Sequence, residues 1–146
     1  MLEIVPMDLD GAHQVAALEA VCFSDPWSLN SILGELFNPD AYYLTARQSG
    51  QVLGYIGMHK VLDEGYITNV AVSPDSRRQG IAKALLAALI NYARAQAMAF
   101  LTLEVREGNQ RAICLYSGEG FVRAGLRKGY YRHPPEDALL MTLVLR

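Results

Sequence analysis

A polar segment ahead of the most regular predicted helix has the residue types of an anion-binding site. It spans residues 73–83, in which Arg77 and Arg78 are cationic and Gly80 and Ala82 are small. Small residues let a ligand approach the backbone, while the free amides and the dipole of a helix N-terminus favour an anion. A diphosphate fits this chemistry best; the alternative is a solvated turn with two surface arginines. The segment has neither the GK[ST] nor the GxGxxG pattern, which argues against a nucleotide P-loop and a dinucleotide site.

The elements on either side of this segment would position the anion. Residues 66–72 predict a strand that runs into it, and residues 100–105 predict a later strand. Between them, apolar residues at intervals of three and four form one face of a predicted helix: Ile81, Leu85, Leu86, Leu89, Ile90 and Ala93. A strand–helix–strand crossover implies that the two strands are parallel.

The rest of the chain predicts further strands and helices of the same sheet. Asp8 or Asp10 can cap a first helix, Ser28 a second short helix, and Asn109 a last one. Apolar, β-branched and aromatic runs predict the other strands at residues 2–5, 41–46, 52–62, 121–126 and 139–145. The expected fold class is α/β (α+β). A mixed, mostly antiparallel central sheet is flanked by helices in the order β-α-α-β-β-β-α-β-α-β-β.

Composition narrows the class of protein. The chain has 146 residues, of which 51% are hydrophobic and 19% charged, and its formal net charge is −2. These values predict one folded domain over residues 1–146 and argue against disorder. The acidic balance argues against a general nucleic-acid coat protein, since that role needs a basic face.

The two cysteines and three histidines show no metal-site spacing. Cys22 and Cys114 lie far apart and in no CxxC pattern, so we expect two buried thiols in a reducing compartment. Cys114 is predicted to point into the core. No metal is expected.

No targeting or membrane segment is predicted. The first ten residues lack the basic and apolar regions of a secretory signal. The most apolar stretch, residues 81–98, is interrupted by polar and charged side chains. We expect a cytoplasmic protein, a monomer or a weak homo-oligomer, with no membrane or direct nucleic-acid partner.

Several segments resemble one family of enzymes. Arg77, Gly80 and Ala82 match the [QR]-x-x-G-x-[GA] signature of the GNAT superfamily of N-acetyltransferases. LEVR at residues 103–106, N-x-x-A-I-x-L-Y at 109–116 and YY followed by EDA at 130–138 look like the RimI family. These are bacterial ribosomal-protein-alanine N-acetyltransferases. The resemblance covers essentially the whole chain and implies the GNAT fold.

The resemblance implies acetyl-CoA as co-substrate and names the residues that hold it. The pantetheine arm would bind along the strand end formed by Val70, Ala71 and Val72. Asn109 would contact the coenzyme. The diphosphate would lie in the loop formed by Arg77, Arg78, Gln79, Gly80, Ile81, Ala82 and Lys83.

The resemblance also implies a general base, Glu104, and a general acid, Tyr116. An α-amino group has a pKa of about 7.7–8.0, so most of it is protonated at neutral pH and a carboxylate is needed to accept its proton. The departing thiolate gains from a hydroxyl donor. The alternatives are a strand carboxylate on a solvent face for Glu104 and a core tyrosine beneath the helix for Tyr116.

Three aromatic residues resemble the walls of an acceptor groove. Trp27 lies between the first two helices, and Tyr130 and Tyr131 are predicted in the loop before the last strand. Aromatic walls can hold an extended peptide. Trp27 packed as a staple on the second helix, and simple packing of the two tyrosines, are the alternatives.

The implied reaction transfers acetyl from acetyl-CoA to a protein α-amine, and the implied acceptor is the basic N-terminal tail of small-subunit ribosomal protein S18. Four carboxylates are expected to flank the groove and attract that tail: Asp63, Glu64, Glu136 and Asp137. The alternatives are an acetyltransferase for lysine side chains or a small amine, and a non-catalytic CoA-binding module.

Overall fold

The computed structural model describes residues 1–146 and contains seven strands and four α-helices. The elements follow the chain as β1 Glu3–Pro6, α1 Leu9–Cys22, α2 Leu29–Leu36, β2 Ala41–Gln48, β3 Gln51–Val61, β4 Glu64–Val72, α3 Ile81–Ala95, β5 Phe100–Arg106, α4 Gln110–Gly118, β6 Val122–Arg132 and β7 Pro135–Val144. A short 3₁₀ turn at Pro74–Ser76 joins β4 to the segment before α3. The predicted order of elements is confirmed.

The strands form one sheet in the order β1-β2-β3-β4-β5-β7-β6. All neighbouring pairs are antiparallel except β4 and β5, which are parallel across the α3 crossover. The predicted mixed, mostly antiparallel sheet is therefore confirmed.

Helices cover both faces of the sheet. The apolar stripe of α3 packs on one face together with α4, because its buried positions recur at helical spacing. α1 and α2 pack on the other face over a smaller apolar cluster. Asp8 caps α1 by accepting a hydrogen bond of 2.7 Å from Gly11 N.

The sheet opens between its two parallel strands. β4 and β5 pair at three positions only, the last being Tyr66 with Thr102. Beyond that point β4 continues to Val72 and β5 to Arg106 without pairing to each other. Thr68 adds a bulge, since Ile67 and Asn69 pair with adjacent residues of β3 and Thr68 has no partner there. The result is a gap through the middle of the sheet, with backbone polar groups of β4 along its edge.

The strand prediction for the end of the chain was wrong in its bounds. β6 runs from Val122 to Arg132, so Tyr130 and Tyr131 lie in a strand, whereas a loop was predicted. Nearly every residue of β6 is exposed and two register shifts interrupt its pairing with β7. An edge strand of this kind is held by backbone pairing and lacks the alternation of buried residues on which strand prediction depends.

The prediction of two buried thiols was also wrong. Cys22 is half-buried and Cys114 is exposed. The core face of α4 carries Ile113 and Tyr116, which are three residues apart, so Cys114 lies on the solvent side of that helix. None of the four helices has the length and apolar character that a membrane span requires.

Candidate active site

Two cavities meet at the gap between β4 and β5. One, of about 590 Å³, is lined by the start of α3 and is called the α3 cavity. The other, of about 780 Å³, is lined by the end of β5 and is called the β5 cavity. The two share the residues at their junction: Cys22, Phe23, Val70, Asn109, Ala112 and Tyr116. A ligand in one cavity can therefore reach a ligand in the other through the sheet.

The N-terminus of α3 presents free backbone amides to the α3 cavity. Gly80 is the N-cap residue, has a φ of +76° and provides no side chain to cap the helix. The first intrahelical bond to Gly80 O comes from Ala84 N, which leaves the amides of Ile81, Ala82 and Lys83 without helical acceptors. Together with the helix dipole, these amides favour a bound anion.

The predicted coenzyme residues line the α3 cavity with one exception. Val70, Ala71, Val72, Arg77, Arg78, Gly80, Ile81, Ala82, Lys83 and Asn109 all contribute to its wall, and Gln79 does not. The Arg77 side chain turns back to the end of β4, where Nε donates to Val72 O at 3.3 Å. The Asn109 side chain caps α4, because Oδ1 accepts from Ala112 N at 3.2 Å.

Glu104 lies in the wall of the β5 cavity, and its side chain is only 8% exposed. Tyr66 donates its hydroxyl hydrogen to Glu104 Oε1 at 2.7 Å. The Nε atom of Arg127 is 3.3 Å from Glu104 Oε2, but its orientation makes no hydrogen bond, so this buried oxygen has no hydrogen-bond partner. Burial and then the neighbouring Glu104 carboxylate raise the pKa of Tyr66 above its usual value. One carboxylate oxygen is therefore held by a hydrogen bond, and the other faces the Arg127 guanidinium without one.

Tyr116 is both a core residue and part of the cavity junction. It is 8% exposed, packs against Phe121 with ring centroids 5.8 Å apart, and lines both cavities. Burial, with a smaller effect of Tyr131, raises the pKa of Tyr116 to about 12. Its hydroxyl therefore keeps its proton throughout the neutral range and can donate a hydrogen bond at the junction.

The three predicted acceptor residues line the β5 cavity. Trp27 contributes from the segment between α1 and α2, and Tyr130 and Tyr131 contribute from β6. Arg106 holds this end of β6: its guanidinium lies 4.2 Å from the Tyr131 ring centroid and donates to His133 O and Pro134 O. The cavity therefore has aromatic walls on two sides.

The expected acidic flank is wrong for two of its four residues. Asp63 lies in the β3–β4 turn and Glu64 begins β4, at the opposite end of that strand from the gap. Asp63 is paired there with Arg146 at 2.9 Å. Glu136 does lie near the β5 cavity, where it pairs with Arg106 at 3.2 Å.

Sequence reasoning missed the partners of Glu104. Tyr66 and Glu104 face each other across β4 and β5 because Tyr66 pairs with Thr102, two positions before Glu104. Arg127 reaches Glu104 from β6, across β7. Alternation along each strand gives the face of a side chain, but only the register between strands brings these three residues together.

The high pKa of Tyr116 predicts alkaline destabilisation. Between pH 10 and 12 the unfolded chain loses this phenolic proton while the folded chain keeps it, so the free energy of unfolding falls as pH rises. For Tyr116 the loss amounts to about 3 kcal/mol across that range. Denaturant unfolding at pH 9 and near pH 12 would measure it, and Tyr116→Phe should lose correspondingly less stability. Equal losses in the two proteins would contradict the burial of this hydroxyl.

Comparisons with known proteins agree with this geometry. Residues 12–121 match the acetyltransferase (GNAT) family. The ribosomal protein bS18-alanine N-acetyltransferase of Escherichia coli (strain K12) is 36% identical over 140 residues, which cover 93% of this chain and 90% of that protein. The N-alpha-acetyltransferase RimI of Mycobacterium tuberculosis (strain ATCC 25618 / H37Rv) is 36% identical over 136 residues, covering 89% and 84%.

A solved structure extends the likeness to three dimensions. The crystal structure of the ribosomal-protein-S18-alanine N-acetyltransferase from Escherichia coli superposes with a TM-score of 0.93 at 32% identity, covering 99% of this chain and 94% of that chain. In sequence and in fold, the chain belongs to the GNAT family of acetyltransferases.

Proposed function

We propose that this protein transfers the acetyl group of acetyl-CoA to the N-terminal α-amino group of a protein. The acceptor we propose is the N-terminal alanine of the ribosomal protein bS18. This is the acceptor given in the name of a relative that is 36% identical to this chain. An acceptor of this kind is made in the cytoplasm, where we expect the enzyme to work.

The observation that carries this proposal is the junction of the two cavities between β4 and β5. Acetyl-CoA would enter from the α3 cavity, with its diphosphate on the free amides of α3 and its pantetheine arm along the edge of β4 that β5 leaves unpaired. The acceptor would enter from the β5 cavity between Trp27 and the two tyrosines of β6. The thioester and the amine would then meet beside Tyr116.

The residues at the junction account for the proton transfers. The amine nitrogen attacks the thioester carbonyl carbon, the C–S bond breaks, and the nitrogen loses a proton as the amide forms. Glu104 Oε2 is buried, pairs with the Arg127 guanidinium at 3.3 Å and accepts no hydrogen bond, so we propose that it accepts that proton, directly or through water. Tyr116 is suited to protonate the departing thiolate. Direct transfer needs no covalent intermediate on the protein.

A pair of peptides tests the proposed acceptor. The first begins with alanine, has a free α-amine and contains one lysine; the second is identical except that its α-amine is blocked. We expect acetyl-CoA turnover with the first and none above background with the second, because the α-amine is the proposed acceptor group and the second peptide lacks a free one. Turnover with the blocked peptide would indicate a lysine acetyltransferase. Tight CoA binding without turnover on either peptide would indicate a CoA-binding module.

Replacement of Glu104 by glutamine tests the proposed base. We expect kcat/KM to fall about tenfold at neutral pH, where part of the amine is already neutral, and by more at lower pH, where less of it is. Coenzyme affinity should not change. The matched control is Asp63→Asn, which removes a carboxylate far from the gap and should leave the rate unaltered. A change in KM alone, with kcat and its pH profile intact, would make Glu104 a binding residue.

A further inference from the structure

Glu19 is a buried carboxylate that the proposed reaction does not use. It projects from α1, is 1% exposed and lines the β5 cavity. Trp27 N donates to Oε1 at 2.9 Å, while Tyr55 OH and Asn69 Nδ2 donate to Oε2 at 2.5 Å and 3.2 Å. All three partners are neutral donors, and an ionised carboxylate can accept all three hydrogen bonds.

These bonds join three parts of the protein. Trp27 belongs to the segment between α1 and α2, Tyr55 to β3, and Asn69 to β4 directly after the bulge at Thr68. Trp27 and Asn69 also line the β5 cavity. The carboxylate therefore connects one wall of that cavity to the strand that borders the gap.

The segment of residues 24–27 depends on Glu19 for its position. The bond from Trp27 N to Glu19 Oε1 is the one hydrogen bond that these four residues make. Ser24, Asp25 and Pro26 are exposed, and the Trp27 ring packs on the apolar cluster beneath α1 and α2. Without the carboxylate, the ring packing alone would hold this wall.

We propose that Glu19 is a positioning residue that fixes the Trp27 wall and thereby sets the room for the first side chain of the acceptor. The selectivity part of this inference rests on the proposed function. A wall held in one place discriminates side chains that differ by a few carbon atoms, whereas a wall that moves accepts both. Glu19 itself contacts neither reacting atom in this account.

The position of the wall can be measured directly, because Trp27 is the single tryptophan of the chain. In Glu19→Leu, which keeps the bulk but removes both acceptors, we expect acrylamide quenching of the Trp27 fluorescence to rise about twofold, as for a locally opened segment. Glu19→Gln retains one oxygen for Trp27 N, and both Tyr55 and Asn69 can turn to accept from its amide. Its quenching should stay close to wild type.

Selectivity gives the second readout. For Glu19→Leu the ratio of kcat/KM for an alanine-starting peptide to that for a leucine-starting peptide should fall about tenfold, with recovery in Glu19→Gln. Simple loss of folded protein would lower both rates equally and leave the ratio unchanged. A folded Glu19→Leu protein with wild-type quenching and a wild-type ratio would overturn the proposal.

Hydrogen exchange of the wild-type protein tests whether Glu19 holds Trp27 in place, even if Glu19→Leu does not fold. The Trp27 amide should be protected while the amides of Ser24 and Asp25 exchange fast, and equal exchange at all three would overturn the proposal. If the wild-type protein acetylated no α-amine, the proposed function would fall. Quenching and exchange would still decide whether Glu19 positions the wall.

Discussion

Replacing Gly80 by aspartate is expected to weaken acetyl-CoA binding about 1000-fold. The new carboxylate would lie at the N-terminus of α3, where the coenzyme diphosphate is proposed to bind. A like charge at about 4 Å costs about 4 kcal/mol at the effective dielectric of a protein surface, which corresponds to that factor. Calorimetric titration with CoA would measure the loss.

Gly80→Asn is the matched control for this change. Asparagine has the same shape as aspartate and tolerates the left-handed backbone at φ +76° about as well. It lacks the charge, so the difference in CoA affinity between the two variants isolates the electrostatic effect on the diphosphate. If both variants folded and bound CoA as tightly as the wild type, the coenzyme would have to bind elsewhere.

Replacing Tyr116 by phenylalanine is expected to lower kcat about 100-fold, the effect of losing one general acid. The ring and its packing against Phe121 remain, so the variant should fold. Because burial raises the pKa of Tyr116 to about 12, the wild-type rate should show no alkaline loss from this group below about pH 11. Steady-state rates from pH 6 to 10 would measure both effects.

Tyr92→Phe is the matched control for Tyr116→Phe. Tyr92 lies on α3 and stacks on Tyr42, with ring centroids 3.6 Å apart, and it lines neither cavity. Loss of the Tyr92 hydroxyl should leave kcat unaltered. A wild-type kcat in Tyr116→Phe would leave Tyr116 as a core residue and require another proton donor for the thiolate.

The fold could be predicted from the sequence where burial leaves a regular pattern. α3 and β5 have a buried face on one side only, so apolar residues recur every three to four positions in the helix and every second position in the strand. β6 has no such face. Its length follows from pairing with β7, which the sequence pattern does not reveal. For this reason a loop was predicted at Tyr130 and Tyr131.

Some parts of the candidate site could likewise be predicted from the sequence, and others could not. Segments that are continuous in sequence, such as the loop before α3, could be recognised because their chemistry depends on neighbours along the chain. The surroundings of Glu104 could not, since Tyr66 and Arg127 reach it from other strands. Glu19 was likewise missed: its three donors lie 8, 36 and 50 residues away.

Charge was the least predictable property of the acceptor side. Asp63 and Glu64 were expected beside the groove together with Glu136 and Asp137. The direction of β4 puts Asp63 and Glu64 at its far end, where Asp63 pairs with Arg146. The β5 cavity is lined instead by Glu19, Asp25 and Glu104 together with Arg106 and Arg132.

The binding of a bisubstrate conjugate tests the central claim most directly. In this compound the CoA sulfur is joined through an acetyl bridge to the α-nitrogen of an alanine-starting peptide, so that both cavities are filled at once. We predict a dissociation constant about 100-fold below that of CoA alone, as expected for two linked ligands. An otherwise identical conjugate joined through a lysine side chain should gain little. Equal affinity for the α-linked conjugate and for CoA would contradict a single active site between β4 and β5.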